Sequence, residues 1–101
     1  MDTLQAQRAE YGYDQLVADF PSRVIMALDH LTSDERAGVA AAVRAFARHE
    51  VEGAPIPGSR SRYVLHAAPQ VRVIVRRVAD APVDVEDIVR PATLKTFADA
   101  P

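Results

Sequence analysis

The chain has 101 residues, no cysteine and a formal net charge of −2 at pH 7. That length is one domain's worth, and an apolar fraction of 49% supports one packed core, with no large cavity or deep cleft expected. The missing cysteines exclude disulfides, thiolate catalysis and the usual structural zinc sites.

No apolar run approaches the ~18 residues that a membrane-spanning helix needs. The first ten residues, MDTLQAQRAE, are polar, so no secretory signal is expected and a cytoplasmic location is. Residues 1–12 read as a tail or lead-in and residues 13–101 as a single domain.

Tyr13 to Phe20 places Leu16, Ala18 and Phe20 on one face and reads as a short strand. Pro21-Ser22 opens a first helix, in which Val24, Ile25, Leu28 and Leu31 fall at helical spacing. Thr32-Ser33-Asp34-Glu35 is a second helix start, with Thr32 or Ser33 as N-cap and acids in the first turn. That helix is expected from Asp34 to His49, with Val39, Val43, Phe46 and Ala47 as its apolar stripe. The two helices read as an antiparallel hairpin.

Gly53 to Gly58 is a Pro/Gly loop that ends the helical half. From there the period changes to two. Arg62–His66, Val71–Val78 and Val83–Val89 read as strands separated by turns at 67–70 and 79–82. Ala92 to Ala98 reads as a short terminal helix or extension. The fold class is therefore α+β, in the order β-α-α-β-β-β, with an antiparallel sheet and the helix hairpin packed on one face.

Alternation sorts the sheet's faces. Tyr63, Leu65, Val71, Val73, Val75, Val83, Val85 and Val89 fall on the helix side. Arg62, Val64, His66, Arg72, Ile74, Arg76, Asp84, Glu86, Ile88 and Arg90 fall on the other. Asp87 falls inward by parity, which calls for a bulge or an early strand end there.

The window from Ser59 to Ala79 holds Arg60, Arg62, Arg72, Arg76 and Arg77 and no acidic residue. Arginine forks match phosphate geometry, and a histidine among them moves protons near neutral pH. The same residues also suit a solvated sheet face, with Arg76 paired across strands to Asp84 or Glu86. Other chemistries find no support. No glycine-rich phosphate loop exists among the four glycines. His30, His49 and His66 lie in three elements without metal-ligand spacing, and Ser59 and Ser61 read as turn residues. Neither a metal nor a cofactor is expected.

Several strings resemble the RelE/ParE toxin superfamily of bacterial type II toxin–antitoxin systems. They are FPSRVIMALDHL, SDERAGVAAAVRAFARHE, SRYVLHAAPQVRVIVRRV and VDVEDIVRPATLKTF, and the resemblance runs from about Tyr13 to Ala98. The resemblance implies a toxin that cleaves mRNA on the ribosome and is neutralised by a cognate antitoxin. It places Arg72 at the phosphate-holding position and Arg90 at or beside the basic residue that stabilises the transition state. His66 and Arg62 lie in the strand carrying further acid–base or basic groups, and Arg60, Arg76 and Arg77 would add substrate contacts. The sequence departs from the nuclease pattern in two places. Phe97 stands near the C-terminal catalytic tyrosine, and Val75 stands where other members carry an aromatic residue. The gyrase-inhibiting branch, which binds DNA gyrase without catalysis, lacks that catalytic set and is the alternative. A non-toxic interaction module of the same fold is the third reading.

Overall fold

The protein is described from a computed structural model that covers residues 20–79 and 81–91. The expected strand at Tyr13–Phe20 and the expected terminal segment at Ala92–Ala98 lie outside those residues, except for Phe20, which is buried. The described elements are α1 (Ser22–Asp29), α2 (Ser33–Ala47), β1 (Ala54–Pro55), β2 (Arg62–Ala68), β3 (Val71–Arg76) and β4 (Asp84–Val89). The strands form one antiparallel sheet in the order β1-β2-β3-β4. The α+β class is as expected. The two-residue strand β1 arises inside the segment read as a loop, where Ala54 and Pro55 pair with Val64 and Tyr63.

Local chemistry explains where the helices begin and end. Thr32 is the N-cap of α2, and its hydroxyl accepts from the Glu35 backbone N–H at 3.1 Å. The Glu35 carboxylate returns the bond to the Thr32 N–H at 3.0 Å, completing a capping box. Arg36 reaches back from α2 and donates to the Leu31 carbonyl at 2.7 Å, satisfying an acceptor at the end of α1. The far end of α2 closes through His49, which takes φ 61° in the left-handed region. Glu50 N–H then bonds to the Ala45 carbonyl and His49 N–H to the Phe46 carbonyl, a Schellman closure built without glycine.

The helices cover one face of the sheet. α1 lies against β4, and α2 lies against β2 and β3. Val24, Leu28, Val39, Val43, Phe46, Leu65, Val71, Val73, Val75, Val83 and Val85 form the core between them. Val73 and Val75 have no solvent exposure, and full burial of a valine side chain is worth about 1.5–3 kcal/mol. Gly38 permits the close seating of α2. A Cβ at that position would lie 2.1 Å from the Ala67 carbonyl oxygen, at the bulged end of β2.

Strand register places side chains in rungs. On the helix side, Tyr63–Val75–Val85 and Leu65–Val73–Ile88 run across β2, β3 and β4. On the other side run Arg62–Arg76–Asp84, Val64–Ile74–Asp87 and His66–Arg72–Val89. The parity reading holds as far as Val85. Beyond it, Val75 pairs with Val85 but Ile74 pairs with Asp87, so Glu86 is the extra residue of a bulge. The bulge falls one residue before the expected site and reverses everything after it. Ile88, expected outward, packs on the core, while Val89, expected inward, stands opposite Arg72 on the open side.

Candidate functional site

The outer face is the side of the sheet on which, among the described residues, no helix packs. Two rungs of charged residues flank one apolar rung. Val64 and Ile74 are half-buried in the centre, with Asp87 beside them. Arg62, Arg76 and Asp84 line up at one end, and His66 and Arg72 at the other.

Arg72 is anchored. Its Nη1 donates to the carbonyls of Ala68 at 2.8 Å and Val71 at 3.1 Å, which folds the guanidinium over the β2–β3 turn. The side chain is partly buried there, and its Nε–H and Nη2 have no partner among the described residues. His66 is exposed and sits directly across from it. Arg76 is exposed and, among the described residues, makes no ion pair, although Asp84 lies opposite in the register. Glu86, the other expected partner of Arg76, is taken by Arg62, whose Nε lies 2.7 Å from Glu86 Oε1. The bulge is held from the helix side too, since Arg23 Nε donates to the Glu86 carbonyl at 2.8 Å. Arg60 is exposed in the loop before β2. Ser59 organises that loop, its hydroxyl accepting from the Ser61 and Arg62 backbone N–H groups.

Two arginines expected to serve the site, Arg90 on this face and Arg77 as a substrate contact, are elsewhere. Arg90 follows the bulge and, by the reversed parity, turns to the helix side. Its Nη1 bonds Glu35 Oε2 at 2.8 Å and the Gln70 carbonyl at 3.0 Å. The Thr32 backbone N–H, and then Arg90, hold the Glu35 carboxyl below its ordinary range. Arg77 shares parity with Val71, Val73 and Val75, and it too points to the helix side. Its guanidinium carbon lies 3.8 Å from the Phe46 ring centroid, and its Nη2 donates to the Phe46 carbonyl. Arg77 thus closes the C-terminal end of α2, where a cation complements the helix dipole. The outer face retains Arg62, Arg72, Arg76 and His66.

A second feature was not anticipated. An open cleft of about 430 Å³ lies between the end of α2 and the β1–β2 edge. Phe46, His49, Val51, Glu52, Pro55 and Tyr63 line it, with Gly53 and Arg77. The expectation of no sizeable cleft overlooked the short edge strand, which leaves the helix end uncovered on that side. Among the described residues, no group of three or more His, Asp or Glu converges to hold a metal, and no helix is long and apolar enough to cross a membrane. Comparison with protein-family models, curated proteins and solved structures gives no match to this chain.

Proposed function

We propose that this chain is the toxin of a type II toxin–antitoxin pair and acts on RNA through the open face of its sheet, in the manner of RelE-like endoribonucleases. The observation that carries this reading is the His66–Arg72 rung on the face that no described helix covers. Arg72 is held at Nη1, and its remaining N–H groups, without partners among the described residues, suit a phosphate. His66 stands across from it in the strand register, on the same face. Strand cleavage by attack of a ribose 2′-oxygen on the adjacent phosphate needs charge stabilisation and proton transfer. Arg72, Arg76 and Arg62 supply the first and His66 the second. The half-buried Val64 and Ile74 give the face an apolar floor between its charged ends. A cognate antitoxin would neutralise the protein by laying an acidic segment over the same arginines.

The Arg90–Glu35 pair favours a second reading. It withdraws from the face the arginine that the nuclease resemblance assigns to the transition state. A protein of this architecture that binds DNA gyrase and catalyses nothing loses nothing by that arrangement.

Inducing the chain alone in a bacterial host separates the two. The nuclease reading expects arrested translation and cleaved mRNA, with toxicity abolished by Arg72→Gln. Altered supercoiling with intact mRNA supports the gyrase reading. Unimpaired growth, translation and supercoiling would refute both.

A further inference from the structure

The cleft at the end of α2 is separate from the open sheet face, because Tyr63 and Arg77 lie on the helix side of the sheet. We infer that this cleft binds a guanine base, presented by a nucleotide or a single-stranded RNA. The inference goes beyond the sheet-face reading and stands apart from it.

Two features select the ligand, and a third shapes the rim of the cleft. The first is a stacking plate. The Arg77 guanidinium lies 3.8 Å over the Phe46 ring and is fixed by the bond from Nη2 to the Phe46 carbonyl. One side of the plate is spent on Phe46, and the other faces away from it. Guanidinium planes and tyrosine rings both stack bases, and Tyr63 joins the same wall, its ring centroid 5.4 Å from that of Phe46.

The second is an acceptor. Glu52 lines the cleft and, among the described residues, has no ion-pair partner. An ionised carboxylate only accepts hydrogen bonds and offers two oxygens side by side. Guanine is the base whose Watson–Crick edge presents two adjacent donors, N1–H and the N2 amino group. Adenine and cytosine each set a ring acceptor beside their amino donor, and uracil flanks its single N–H with carbonyls. A carboxylate therefore repels part of every edge except guanine's.

The third is strain at the rim. His49 holds φ 61° where glycine is the usual occupant. That conformation turns the chain sharply out of α2 and leads it into the cleft-lining residues Val51, Glu52 and Gly53.

The test is an amide NMR titration of the whole chain with guanosine, the four ribonucleoside 5′-monophosphates and inorganic phosphate. Guanosine and its monophosphate are expected to move the Val51, Glu52, Gly53 and Arg77 amides saturably, with Kd at least about tenfold lower than for the other nucleotides. Glu52→Gln should raise the guanosine Kd about tenfold without changing spectral dispersion. Asp29→Asn, exposed at the end of α1 and outside both sites, should leave it unchanged. Inorganic phosphate titrating these amides as well as guanosine monophosphate would make the cleft an anion site and overturn the inference. Equal responses of these amides to all four nucleotides, no response to any, or an unchanged guanosine Kd in Glu52→Gln would overturn it too. None of those outcomes bears on RNA binding by the sheet face.

Discussion

The guanidinium of Arg77 stacks 3.8 Å from the Phe46 ring centroid and donates to that same residue's carbonyl, so one side chain seals the end of α2. Removing it leaves the carbonyl with the His49 N–H alone and uncovers the ring. Arg77→Ala should therefore destabilise the fold by about 1–3 kcal/mol, combining a lost hydrogen bond with a lost cation–π contact. Urea unfolding of the variant against the parent measures this. A change below about 0.5 kcal/mol would place Arg77 among ordinary surface positions.

Arg77 also shows how far the sequence was legible. Alternation along β3 identified Val71, Val73 and Val75 as core, and extending it by one step puts Arg77 on the same side as the valines. Grouping the arginines by charge obscured that. The helices and the Thr32 cap were readable because capping residues and 3.6-residue spacing are local signals. The bulge was anticipated near Asp87 but falls at Glu86, and a shift of one residue is enough to reverse Ile88, Val89 and Arg90. The partners that fix its position, Arg23 and Arg62, are remote in sequence. The cleft depends on β1, whose two residues carry no periodicity to read.

Gly38 gives a second stability test. On a free helix, Gly→Ala gains about 0.5–1 kcal/mol. Here the added Cβ would sit 2.1 Å from the Ala67 carbonyl oxygen, which is backbone and cannot rotate away. Gly38→Ala is expected to destabilise by about 1–3 kcal/mol, as overpacking does. A stabilised variant would show that α2 does not seat on the β2 bulge.

Val73 tests the core. It has no solvent exposure and sits in the rung between Leu65 and Ile88. Val73→Asp places an unpaired carboxylate there and should cost about 3–5 kcal/mol, enough to unfold a domain of this size. Circular dichroism melting reads the outcome, and a cooperative transition near the parent's would contradict the packing.

The Glu35–Arg90 pair makes stability depend on pH. The capping bond from the Thr32 N–H and the Arg90 guanidinium both favour the ionised carboxylate, so its folded value lies below the ordinary 4.5. The unfolded chain therefore binds the proton more readily than the folded one. The stabilisation is fully present above the unfolded value and is lost as pH falls from there through the folded one. Glu35→Gln should be less stable than the parent at neutral pH, and the gap should close as pH drops below about 4.5. A gap that stays constant across that range would mean the charge contributes nothing.

On the proposed reading, Arg62, Arg72 and Arg76 of the open face hold an RNA backbone. The most direct test is the salt dependence of binding to a single-stranded RNA oligonucleotide, by fluorescence anisotropy, in the parent and in Arg76→Ala. Arg76 has no ion pair among the described residues and is exposed, so its removal leaves the fold intact. The logarithm of the affinity should fall linearly with the logarithm of salt concentration. Losing one phosphate contact should flatten that slope by about 0.7 and weaken binding at low salt. Identical affinities and slopes for the two proteins would contradict the claim.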